Sequence, residues 1–186
     1  MMIREDRYVP AGSLRMKGSM NKNRLTIREI AYLGICLAIL EVSKLALDFL
    51  PNVELVTLLF IVYTIFFGKK TLFVAAGFIV IECLLKGINV WSLMYLYIWP
   101  LLILMVYFAN KLKAGHMFYC LLSGFYGLFF GLFCFIPYLI TGGLHTAIAW
   151  WISGIPYDII HCISNFLICL FLFRPLCAVM KKTVVS

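Results

Sequence analysis

Apolar residues occur in long runs from Leu25 to Lys182, separated by short polar or basic connections. Six hydrophobic helices are predicted, near 30–50, 54–68, 71–87, 91–110, 117–141 and 155–174. About 20 residues of untilted helix cross the hydrocarbon core of a bilayer. The fourth and fifth segments meet that length, whereas the second and third are short. Short segments imply helices surrounded by protein, local thinning or a re-entrant stretch.

Composition turns that pattern into a class. Hydrophobic residues make up 64% of 186 positions and charged residues 13%, against about 45–50% and about 25% in soluble domains. A chain this apolar has no way to hide its surface in water, so the expected fold is an all-α integral membrane bundle. The net charge of +8 is distributed in a way that argues against nucleic acid. Arg4, Arg7, Arg15, Lys17, Lys22, Arg24 and Arg28 precede the first helix. Lys69 and Lys70, then Lys111 and Lys113, occupy alternate connections, and Arg174, Lys181 and Lys182 close the chain. Fourteen of the sixteen Lys and Arg therefore lie on one side of the predicted topology. The positive-inside rule makes that side cytoplasmic, and an even helix count places both termini there.

The domain reading is a polar N-terminal extension over 1–24, one membrane domain over 25–182 and a tail over 183–186. Residues 1–19 differ in character from the rest of the chain and lack an apolar core of signal-peptide length. They read as a disordered extension, an artificial addition or the product of an upstream start, and Met20 resembles a natural beginning. The seven cysteines lie almost entirely inside apolar runs, with no C-x-x-C and no zinc spacing, so they read as small packing residues.

The external connections hold the denser chemistry. The first contains Asp48, Pro51, Asn52 and Glu54, and the second Lys86, Gly87, Asn89 and Trp91. The third, Thr141 to Asp158, carries a Gly142–Gly143 break and the pair Trp150–Trp151, and is expected to be a loop or an interfacial helix. Pro156 then suits the first turn of the last helix.

Ionisable residues at membrane depth either pair or serve a function. Glu41 and Lys44, three apart, are close enough to pair on one helix face, as are Glu82 and Lys86, four apart. Trp91, Tyr95, Tyr97, Trp99, Tyr138, Trp150, Trp151 and Tyr157 crowd the outer half, as an interfacial belt or as the walls of an organic-ligand pocket. Asp158, His161 and Asn165 recur at i, i+3 and i+7 and share one face. That stripe should point into the bundle, because facing lipid would be costly.

No G-x-x-x-x-G-K-[ST], H-E-x-x-H or G-x-S-x-G occurs, and matched proline-broken half-helices are not evident. Ala31, Gly34 and Ala38 place small residues at helical spacing on the first helix. Such a surface serves close packing within a bundle or docking of a partner helix.

These features resemble the substrate-binding S component of energy-coupling factor (ECF) vitamin transporters, over about Leu25 to Lys182. The stretches PNVEL at 51–55, YIWPLL at 97–102 and GIPYDIIHCISNF at 154–166 are similar to one branch of that family, loosely associated with cobalamin. Gly34 and Ala38 hold the place of the family's A-x-x-x-A docking motif, with Gly for the first Ala. The resemblance implies a non-catalytic, multi-pass subunit of a bacterial plasma membrane, without a cofactor of its own. It also implies a complex with a transmembrane coupling protein and two cytoplasmic ATPases. Vitamin would be captured outside, and reorientation of the subunit would release it inside.

The expected ligand contacts are Glu54, Glu82, Lys86, Asn89, Trp91, Tyr95, Trp99, Trp150, Trp151, Asp158, His161 and Asn165; the expected docking residues are Ala31, Gly34 and Ala38. With only Lys44 and Lys86 as cations, a highly phosphorylated ligand is disfavoured and a large neutral or zwitterionic ring system fits better. His145 and His161 are read as hydrogen-bonding residues rather than cobalt ligands. Two other readings stay open: an intramembrane enzyme using Asp158, His161 and Glu82 or Glu41, and a structural assembly subunit.

Overall fold

The computed structural model describes residues 25–185. The polar segment 1–24, with six of the seven leading basic residues, lies outside them. Every regular element among the described residues is helical. They are α1 (Ile27–Leu47), α2 (Val56–Phe67), a 3-10 turn (Gly68–Lys70), α3 (Thr71–Lys86), α4 (Val90–Lys111), α5 (His116–Leu128), the short α6 (Phe130–Phe133) and α7 (Phe135–Met180), with a terminal π-turn (Lys181–Val185).

Local chemistry explains several boundaries. A capping box opens α1: the Thr26 hydroxyl accepts from the Glu29 N–H at 3.2 Å, and the Thr26 N–H donates to the Glu29 carboxylate at 2.9 Å. Asn89 caps α4 by accepting from the N–H groups of Trp91 and Ser92 at 2.9 and 3.1 Å. Gly68, at φ +60°, turns the chain between α2 and α3, a conformation that side chains with a Cβ rarely adopt.

Ion pairs fix the directions of the helices. Lys70 meets Glu29 at 2.6 Å near the start of α1, and Lys44 pairs with Glu82 near its end. Hence α3 runs alongside α1 in the same direction, and α2 runs back between them. Asn110 at the end of α4 donates to the Ile65 carbonyl near the end of α2, so α2 and α4 also run in parallel. Every residue of α2 is buried, which makes it the axis of the bundle and accounts for its unbroken apolar sequence. By contrast α1 buries only a stripe, including Leu33, Cys36 and Leu40, and turns Ile35, Ile39 and Val42 outward.

By length and composition, four stretches are apolar enough to cross a membrane: Ile27–Leu47, Val56–Lys86, Val90–Lys111 and Phe135–Val184. The second is bent back on itself at Gly68, so its legs of 12 and 16 residues each fall short of the about 20 that a span needs. Large apolar side chains cover the outside of the bundle, among them Phe73, Val80, Leu84 and Phe171. The protein has the form of a multi-pass membrane protein.

The last third takes one of its two expected forms and departs from expectation at Pro156. The segment Thr141–Asp158 is helical and not a loop, interrupted only at Gly143 (φ +74°, ψ −179°). The glycine break is where the sequence puts it, but helix resumes at once and continues to Met180. Pro156 therefore lies inside a helix and not in its first turn. The arm over 144–180 extends about 55 Å at 1.5 Å per residue, well beyond an about 30 Å hydrocarbon core. Tyr138 and Trp150 stack at 4.2 Å between centroids and hold the two arms of α7 together beside the bend.

The backbones of α5 and this long arm approach each other closely. A Cβ on Gly127 would lie 2.6 Å from the His161 carbonyl oxygen and 3.0 Å from the Cys162 nitrogen, and one on Gly124 would lie 3.2 Å from the Phe166 Cβ. Glycine is required there because another backbone occupies the space.

Candidate ligand-binding site

At the end of the bundle where α1 and α3 finish and α4 begins, a cavity of about 380 Å³ opens beneath the connection 48–55. The loop over it is anchored by Ser164, whose hydroxyl donates to the Asn52 carbonyl at 2.7 Å. One side of the cavity is charged. Glu82 is buried, and one of its oxygens takes the ion pair with Lys44. Lys86 lies at the rim, 3.6 Å from Asp48 and 3.9 Å from Glu82. The Lys44 ammonium also sits 5.2 Å from the ring centroids of Phe78 and Tyr95, so it is neutralised on one side and held over aromatic faces on the other.

Aromatic rings fill the wall between the charged groups. Trp99, buried in the wall, stacks on Phe60 at 5.0 Å and approaches Tyr95 at 5.6 Å and Phe130 at 6.3 Å. Trp91 continues the wall by stacking on Phe130 at 6.4 Å. The floor is His161, whose Nε2 lies 3.3 Å from Glu54 Oε1 and whose ring meets Phe130 edge-on at 4.8 Å. Glu54 also accepts from the Thr57 N–H at 2.9 Å, acting as a carboxylate at the start of α2. Burial pushes the Glu54 carboxyl up, but the His161 and Thr57 hydrogen bonds and the His161 charge outweigh it and hold it below the usual carboxylate range.

Eight of the expected ligand contacts line this cavity: Glu54, Glu82, Lys86, Asn89, Trp91, Tyr95, Trp99 and His161. Four do not. Trp150 packs on Tyr138 and Trp91 behind the wall, and Trp151 is 37% exposed on the outside of the arm. Asp158 is buried and accepts from the Gly131 N–H at 3.0 Å, and Asn165 donates to the Thr57 hydroxyl at 3.4 Å. The stripe of Asp158, His161 and Asn165 lies inward, with 7%, 3% and 1% exposure, but only its middle member reaches the cavity. The outer two join α7 to α6 and to α2.

Lys44 pairs with Glu82 rather than with Glu41. The Glu41 carboxylate is left buried without a hydrogen-bond partner, because α3 brings an acid closer to Lys44 than the neighbouring turn of α1 does. Sequence reasoning gave no cavity role to Ser92, Phe78 or Phe130. Phe78 and Phe130 sit in apolar runs with no polar neighbour to single them out. Asn89 lines the cavity but is also committed to capping α4.

Ala31, Gly34 and Ala38 are exposed, and none of the described residues lies within 4 Å of a Cβ added at Gly34. The close-packing role belongs to Gly124 and Gly127 instead. Of the groups proposed for acid–base work, Asp158 bonds Gly131, His161 meets Glu54 and Glu82 pairs with Lys44, whereas Glu41 has no hydrogen-bond partner among the described residues. Among the described residues, no three His, Cys, Asp or Glu converge as a metal set. Comparison with protein-family models, with curated proteins and with solved structures returns no match.

Proposed function

We propose that this protein is a membrane-embedded capture subunit for a small organic nutrient, of the kind the ECF S component exemplifies. The observation that carries this reading is the cavity. Aromatic planes interleaved with a few convergent charged groups, at one end of an apolar bundle, form the arrangement that holds a small molecule and fixes its orientation. The basic residues Lys69, Lys70, Lys111 and Lys113 gather at the opposite end of the helices, so the positive-inside rule puts the cavity outside. In this reading α1 to α4, α5 with the first arm of α7, and the 144–180 arm make six passes, with both termini cytoplasmic. Protein-surrounded α2 and the short α3 are tolerated because their polar backbone is satisfied within the bundle.

The exposed Ala31, Gly34 and Ala38 then form a docking face for a coupling protein, since a row of small residues lets a second helix approach closely. Calorimetry of the full chain in lipid nanodiscs against a vitamin panel tests the capture reading, with saturable heat for one compound expected. A well-folded protein that binds none of them, or that turns one over chemically, overturns it. Co-purification tests the docking reading. Gly34→Leu should abolish recovery of a coupling protein and its ATPases while leaving ligand binding intact, and recovery at the wild-type level rejects that face.

A further inference from the structure

Building on the capture reading, we infer that the cavity selects a planar heteroaromatic cation, and that it rejects anions and corrinoid-sized macrocycles. Size is the first constraint. At about 380 Å³ the cavity is near the lower end of the roughly 300–1,000 Å³ typical of ligand pockets. A few fused rings fit inside it, whereas a corrinoid would stand mostly outside.

Charge is the second constraint. The lining holds Lys44 and Lys86 against Asp48, Glu54 and Glu82; a charged His161 brings the sum to zero and a neutral one leaves one negative charge in excess, so in neither state is positive charge in excess. Among the described lining residues each lysine already has a carboxylate partner, Lys44 in Glu82 and Lys86 in Asp48, and an incoming anion would face three carboxylates in a setting where screening is weak.

The third constraint comes from the aromatic lining. Trp91 is 41% exposed, and Tyr95 and Phe130 are half-buried on the cavity wall. Their rings offer a surface on which a flat ring, especially a positively charged one, is held.

The test uses two quinolines of equal ring size and opposite charge, added to the full chain in nanodiscs at pH 7. By calorimetry, 4-aminoquinoline, protonated and bearing an N–H₂ donor, should bind saturably, and quinoline-4-carboxylate should not. Glu82→Gln should weaken the cation about tenfold, as expected for removal of a nearby negative charge in a weakly screened site. Lys86→Gln, at the exposed rim, should tighten it severalfold by removing a like charge, an effect that a purely structural role for Lys86 does not produce.

Equal or tighter binding of the carboxylate overturns the inference, and so does cation affinity that Lys86→Gln leaves unchanged or lowers. If Glu82→Gln fails to fold, the Lys86 variant and the charge pair of probes still decide. If neither quinoline binds while a vitamin from the panel does, this inference falls and the capture reading stands. If nothing binds, both fall.

Discussion

Replacing Gly127 with alanine isolates what holds the cavity floor in place. On an open helix surface the change would be favourable by up to about 1 kcal/mol, the difference in helix propensity. Here the added methyl would sit 2.6 Å from the His161 carbonyl oxygen, 2.7 Å from its carbon and 3.0 Å from the Cys162 nitrogen. All three are backbone atoms of α7, so no rotamer change relieves the clash. Restoring ordinary contact, at 3.4 Å or more, requires α5 and α7 to part by about 0.8 Å. Overpacking of that kind costs about 1–3 kcal/mol, which outweighs the propensity gain.

The same shift acts on the site. His161 Nε2 is only 3.3 Å from Glu54 Oε1, so the displacement takes that pair past hydrogen-bonding range. Gly127→Ala should therefore unfold at lower SDS fraction than the wild type in mixed micelles, followed by circular dichroism, and should bind ligand more weakly. The matched control is Gly34→Ala, where none of the described residues lies within 4 Å of the new methyl; its midpoint should equal or exceed that of the wild type. If Gly127→Ala and Gly34→Ala unfold together at or above the wild-type midpoint, the α5–α7 packing argument is wrong.

Asp158→Ala should cost about 1–3 kcal/mol of stability, because the buried Gly131 N–H loses its acceptor, while Trp151→Ala should stay within about 0.5 kcal/mol and leave binding unchanged; unfolding and calorimetry on the same samples check both. Glu82→Leu should be destabilising by about 3–5 kcal/mol by stranding the Lys44 ammonium, and Lys44→Met combined with Glu82→Leu should recover much of the loss. Glu54 titrates below the ordinary carboxylate range, so it stabilises the fold at pH above that range. That contribution disappears as pH falls through its native value. Unfolding midpoints followed from about pH 5 downward should drop more steeply in the wild type than in Glu54→Gln, and parallel curves would show that Glu54 makes no such contribution.

The all-helical character of the chain and its membrane-compatible surface were legible in the sequence, since runs of apolar residues this long leave few other folds. The inward face of Asp158, His161 and Asn165 was legible for the same reason: helical period and the cost of polar groups in lipid act on each residue wherever its neighbours lie. The Gly142–Gly143 break was legible too, but not its consequence. A glycine marks where a helix can bend, and whether a loop or another helix comes next depends on what the succeeding segment packs against. Here Trp150 stacks back on Tyr138 and the helix continues.

Pairings could not be read along the chain. Glu41 is three residues from Lys44, yet the lysine goes to Glu82, 38 positions away, because α3 runs beside α1. Trp91 and Trp99 wall the cavity while Trp150 and Trp151 do not, although the side-chain chemistry is the same. The small-residue spacing on α1 suggested close packing, but the close packing lies at Gly124 and Gly127, against α7. Hydropathy, charge and helical period belong to single residues and act through the solvent, so the sequence alone determined the class of the protein and which faces turn inward. The partners of each inward group depend on how the helices are rotated and how near they come. Only the tertiary structure decided that, through turns such as Gly68 and contacts such as Gly127 against His161.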